Sequence, residues 1–132
     1  VTRVSIVINE IRQFTTDTSS LYLRPDADEL LSRMTSEQVI TVTISSNTDW
    51  VLSVSGMQPF WDAPWRKPVE DIFWSFDGAE YQPLSIESEI VCKGGSSDNE
   101  PFRLLFRVAL DPLKDIPGEY FYPEIIFRLD SP

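Results

Sequence analysis

Carboxylates are the only side chains numerous enough in this sequence to support acid–base or metal chemistry. The 132 residues include 21 Asp and Glu, 11 Lys and Arg, and no histidine. The commonest general base and the commonest transition-metal ligand are therefore missing. Cys92 is the single cysteine, which excludes an internal disulfide and a thiolate metal cluster. It sits in an alternating apolar segment and reads as a small hydrophobe; the alternative is a reactive or intermolecular thiol. A hydrolase built from this chain would work with carboxylates alone. Two of them facing each other about 5 to 9 Å apart can hydrolyse a glycoside, yet nothing in the sequence singles out a pair. Asp26, Asp28 and Glu29 lie close together, as do Asp98 and Glu100, and Asp111, Asp115 and Glu119. Calcium takes oxygen ligands from such loops. None of these runs has the alternate spacing and glycine of a calcium loop, so they read as solvated acidic surface. The motifs G-x-S-x-G and H-E-x-x-H and a phosphate-binding loop are absent. The expectation is a protein that is not an enzyme, with no catalytic residue, no metal and no cofactor.

Charge narrows the partners. The formal net charge is -10, which repels phosphate backbones and anionic lipid, so no nucleic-acid partner is expected. No apolar run approaches the roughly 20 residues of a membrane span. The first residue is Val1 rather than methionine. The expectation is an extracellular or cell-surface protein in its mature form, after removal of an export signal, or a module cut from a longer chain.

The elements that position these residues have period two almost throughout. Val4, Ile6 and Ile8 alternate with polar residues and predict a first strand, with a bulge or bend near Glu10 before Ile11 and Phe14. TTDTSS (15–20) reads as a polar loop, and Leu21 to Leu23 as a short strand. Residues 26–37 hold the one plausible helix, capped by Asp26 or Asp28, with Leu30, Leu31 and Met34 facing in. Ile40, Val42 and Ile44, then Trp50, Leu52 and Val54, read as a hairpin joined by SSNTD. Ile72, Trp74 and Phe76 lead to Asp77-Gly78, a strong hairpin signal, with a return through Leu84. Ile86, Ile90 and Cys92 mark a further strand, and KGGSSDNEP a hairpin loop. Phe102, Leu104, Phe106, Val108 and Leu110 share one face, with Arg103 and Arg107 on the other. A last strand carries Ile125, Phe127 and Leu129 inward and has Pro123 within it. Seven to nine short strands with at most one short helix predict a single all-β domain over 1–132, an immunoglobulin-like antiparallel sandwich. A closed barrel is the alternative.

Two places suggest contacts. Phe60, Trp61 and Trp65 crowd a proline-rich loop, where exposed rings make a platform for sugars or protein partners and inward rings cap the core. Residues 1–14 are a candidate exchange strand. Val4, Ile6 and Ile8, continued by Ile11, either pair at home or enter a groove of a neighbouring copy, with TTDTSS as hinge.

ITVTISSNTDW resembles the strand–turn–tryptophan pattern of bacterial surface Ig-like modules, including BACON-type domains. IPGEYFYPEIIFRL is similar to the final strand of secreted pilin-like sandwiches, the spore-coat-U group among them. The two stretches cover about a fifth of the chain. BACON modules are usually shorter, and spore-coat-U domains usually carry a disulfide that one cysteine cannot form. The resemblance implies an extracellular Ig-like module. Together with the residues, it makes the expected function structural: a pilus-like filament subunit forming a homopolymer by strand donation, or an envelope module. The alternative is a carbohydrate-binding module using the loop tryptophans.

Overall fold

The computed structural model describes residues 5, 9–63 and 65–132. The predicted strand at Val4, Ile6 and Ile8 lies outside the described residues. The chain forms two antiparallel sheets stacked as a sandwich, with a small third ribbon at one end. The larger sheet holds β1 (Arg12–Thr16), β3 (Gln38–Ser46), β8 (Ser97–Val108), β5 (Ile72–Ser75) and β6 (Gln82–Pro83), in the order β1-β3-β8-β5-β6. The second holds β4 (Trp50–Gly56), β7 (Glu89–Gly94) and β10 (Ile125–Asp130), in the order β10-β4-β7. The ribbon pairs β2 (Leu21–Leu23) with β9 (Tyr120–Tyr122). One short helix, α1 (Ala27–Ser32), matches the single helix expected.

Alternation places the core. Ile40, Val42 and Ile44 of β3 and Leu104, Phe106 and Val108 of β8 point from one sheet toward Trp50, Leu52 and Val54 of the other, and all are buried. Trp74 is paired with Phe106 along the larger sheet and shares its inner face. Each buried side chain of this size contributes about 1.5–3 kcal/mol of transfer free energy. The α1 helix begins with a reciprocal cap: Glu29 N–H donates to the Asp26 carboxylate, and Asp26 N–H donates to Glu29. Its inward contact is narrower than expected. Leu30 packs on the core, whereas Leu31 is exposed.

Three connections differ from expectation. SSNTD does not close a hairpin, because β3 and β4 belong to different sheets and the turn carries the chain across the sandwich. Apolar alternation is the same for two strands paired side by side and for two strands facing each other, so the pattern could not separate the cases. The segment after β7 crosses the sandwich in the same way, and Ser97 to Glu100 lengthen β8 instead of forming a loop. Pro123 ends β9, and the chain then switches to β4 as β10, so the last predicted strand is two. The Asp77-Gly78 signal does mark the β5–β6 hairpin, though with a longer loop. The Asp77 carboxylate accepts from Glu80 N–H, Ala79 N–H and the Ser75 hydroxyl, which holds it below the usual carboxylate range. Splitting the last strand and counting short pieces gives ten strands among the described residues, against the seven to nine expected.

Candidate functional site

The proline-rich loop is an internally bonded structure. Trp61 is 1% exposed and packs edge-to-face on Tyr122, with ring centroids 5.6 Å apart. The Tyr122 phenol donates to Gln58 O at 2.5 Å and accepts from Gln58 N–H at 2.9 Å, and burial pushes its pKa up. Phe60 lies beneath the Arg66 guanidinium at 4.4 Å. A shallow groove of about 360 Å³ runs along Gln58, Phe60, Trp61 and Arg66. Trp65 is half-buried, with the ammonium groups of Lys114 and Lys67 4.6 and 5.5 Å from its centroid. All three rings are thus engaged within the chain. The expectation of a stacking platform at Trp61 is corrected, since a ring with no open face cannot receive a sugar.

Beneath this loop lies a charged centre that the sequence did not reveal. Lys67 is fully buried and Asp115 is 1% exposed. Lys67 Nζ donates to Asp115 Oδ2 at 2.8 Å and to Ala109 O at 2.7 Å, and it lies 3.0 Å from Asp71 Oδ2. The Asp115 carboxylate also accepts from Trp65 Nε1–H at 2.9 Å and from Asp111 N–H at 2.7 Å. The ammonium makes two hydrogen bonds and a further ion pair with Asp71, and both Asp115 carboxylate oxygens have donors, as a buried pair requires. The centre ties the loop before the 3-10 turn Val69–Asp71 to the end of β8 and to the 111–118 turn. Asp115 was expected on a solvated surface beside Asp111 and Glu119; that is corrected. Alternation says nothing of a side chain in a loop, so neither Lys67 nor Asp115 carried a signal. Among the described residues, no three His, Cys, Asp or Glu come together as a metal site. Among the described residues, no helix is long and apolar enough to cross a membrane.

The N-terminal segment gives the second candidate surface. Arg12 to Thr16 pair with β3 of the same chain, with Arg12 opposite Ser46. The exchange segment therefore cannot extend to residue 14. TTDTSS is no hinge either: Thr15 and Thr16 belong to β1, and the Asp17 carboxylate accepts from Thr41 N–H at 2.9 Å. Before β1, Asn47 and Thr48 hold the chain, the Thr48 hydroxyl donating to the Glu10 carboxylate at 3.2 Å. The Asn47 side chain donates to Asn9 O at 2.9 Å and accepts from Ile11 N–H at 2.7 Å, while Asn47 N–H donates to Ile11 O at 3.1 Å. A carbonyl and an N–H two residues apart, turned to the same amide, are the geometry of an extended chain. Ile11 is anchored by its backbone while its side chain stays 53% exposed. Asn47 lies beyond the end of β3, so the chain at Asn9 has already run past its partner strand. Val4, Ile6 and Ile8 precede this point and lie outside the described residues.

On β7, Ile90 is exposed, as is Ile86 before it; Cys92 is half-buried. Burial pushes the Cys92 thiol up to about 11, which suits a small hydrophobe better than a nucleophile. Comparison with protein-family models, with curated proteins and with solved structures found no match to this chain.

Proposed function

We propose that this chain is a non-catalytic structural module of an extracellular surface, and that copies of it assemble by donating the segment before β1 as a strand. The observation that carries the proposal is the path of Asn9 to Ile11. These residues are held extended by Asn47, beyond the end of the strand that β1 pairs with. Residues 1–8 precede this held stretch in the chain. Their sequence alternates Val4, Ile6 and Ile8 with polar residues, the pattern of a strand that needs one apolar face covered. Strand addition supplies that cover together with main-chain hydrogen bonds.

Electron microscopy and sedimentation of the concentrated full chain test this. Wild type forms end-to-end assemblies, and Ile6→Asp, which would put an unpaired carboxylate into an apolar slot, stays monomeric with the thermal midpoint of the wild-type monomer. A wild type that remains monomeric at every concentration overturns the proposal. So does an Ile6→Asp monomer that melts well below the wild-type monomer, because the segment then belongs to its own sheet.

A further inference from the structure

We infer that Lys67 and Asp115 are the two halves of an intramolecular amide cross-link, which the folded chain forms itself between Lys67 Nζ and Asp115 Cγ with loss of one water. The cross-link is independent of strand donation. A buried ammonium–carboxylate pair is an ordinary non-covalent arrangement; the groups set around this one go further. The first feature is proximity without solvent. Lys67 is fully buried and Asp115 is 1% exposed, with Nζ 2.8 Å from Oδ2. Two groups fixed in this way react at an effective concentration that no solution reaches. The unreacted pair keeps two charges out of water at a cost, whereas an amide carries none.

The second feature is a further carboxylate on the same nitrogen. Asp71 Oδ2 lies 3.0 Å from Lys67 Nζ and is one-third exposed, so it can take a proton from the amine and return it. The third is the pair of donors already aimed at Asp115. Trp65 Nε1–H donates to Oδ1 at 2.9 Å, and Asp111 N–H donates to Oδ2 at 2.7 Å. Donors fixed on a carboxyl group stabilise the negative oxygen that appears when its carbon becomes tetrahedral.

The step balances within the chain. A proton crosses the hydrogen bond from Lys67 Nζ to Asp115 Oδ2, which leaves a neutral amine beside a carboxylic acid. The Nζ lone pair attacks Cγ, and the C=O electron pair moves onto Oδ1, beneath the Trp65 N–H. Asp71 takes a second proton from Nζ and passes it to Asp115 Oδ2. The Cγ–Oδ2 bond breaks, the Cγ=Oδ1 bond re-forms, and Oδ2 leaves as water; nothing is oxidised or reduced. Nζ keeps one hydrogen, and Ala109 O, 2.7 Å away, is already in place to accept it. The product joins positions 48 residues apart and closes a loop that contains β5, β6, β7 and β8. A chain with one cysteine has no internal disulfide for that task, and an amide resists reductants.

Intact-mass measurement and peptide mapping of the full chain test the cross-link. Chain purified unfolded in urea and then refolded starts the reaction; freshly refolded chain still carries the ion pair and is the reference state for Lys67 variants. The folded wild type should lose the mass of one water over time, and its digest should contain a branched peptide joining Lys67 to Asp115. Chain kept in urea should retain its full mass. Asp71→Asn leaves the amine and the acid in place and should slow the loss by about a hundredfold, with the circular dichroism of the wild type. Folded wild type that keeps its full mass for several days overturns the cross-link. So does a water loss found only in linear peptides, because an aspartate closing on its own backbone loses the same mass without joining two segments. Branched peptide formed equally fast in urea would show that the folded site does not make the bond. Asp71→Asn chain that condenses at the wild-type rate overturns the proton transfer assigned to Asp71.

Discussion

Removing the buried ammonium of Lys67 should be among the most damaging single changes outside the apolar core. Lys67→Met keeps most of the stem's volume and deletes the charge. Asp115 Oδ2 and Ala109 O each lose a hydrogen bond, and Asp71 loses its ion pair. Asp71 is one-third exposed and recovers by hydration. Asp115, 1% exposed, keeps Trp65 Nε1–H and Asp111 N–H but holds a negative charge with no counter-ion. Stranding one member of a buried pair costs about 3–5 kcal/mol, against a total stability of about 5–15 kcal/mol for an ordinary domain. At roughly 3–5 °C per kcal/mol for this chain length, the thermal midpoint falls by about 10–20 °C. Urea unfolding followed by tryptophan fluorescence reads the change directly, with an unaltered m-value if the native state stays compact. Lys67→Met combined with Asp115→Asn removes both charges while leaving an acceptor for Trp65, so the pair of changes should cost less than the sum of the two singles. A Lys67→Met loss below about 1 kcal/mol, or strictly additive losses, would show that the two charges are not coupled as their geometry implies.

Further outcomes follow from single positions. Phe106→Ala should cost about 3–5 kcal/mol because the ring is fully buried opposite the second sheet. Arg107→Ala, whose guanidinium meets Glu37 at 2.8 Å on a surface about two-fifths exposed, should cost under about 1 kcal/mol by chemical denaturation; equal losses would mean the strand's two faces are misassigned. Gly94→Ala places a Cβ inside the Trp50 ring, so calorimetry should show a loss of about 1–3 kcal/mol from overpacking. Cys92 should resist alkylation in the native state near pH 8 and react freely in urea. With the native thiol raised to about 11 from an ordinary 9.0, the native state holds the proton that the unfolded state releases. Its contribution to stability is therefore present below pH 9 and declines as pH rises from there toward 11. A wild-type chain that loses no more stability over that window than Cys92→Ser would contradict this.

Composition and alternation by themselves determined the fold class and most of the core. A residue every second position needs one covered face, and that constraint is local, so Ile40, Val42, Ile44, Leu104, Phe106 and Val108 were legible as inward without knowing what they meet. The same local constraint cannot say whether two apolar strands lie beside each other or face each other, because both satisfy it. Alternation therefore predicts hairpins at SSNTD and KGGSSDNEP, where the chain in fact crosses the sandwich. Loops carry no alternation at all. Whether Trp61 caps the core or offers a platform, and whether Lys67 and Asp115 are solvated or joined at 2.8 Å, depends on which segments arrive at the same end of the sandwich, and only tertiary packing decides that. For the N-terminal segment, the apolar row Val4, Ile6 and Ile8 was plain in the residues. Asn47 holding Asn9 and Ile11 in line was not, since that contact joins positions 38 and 36 residues apart, and long-range pairing is set by topology rather than by any nearby residue.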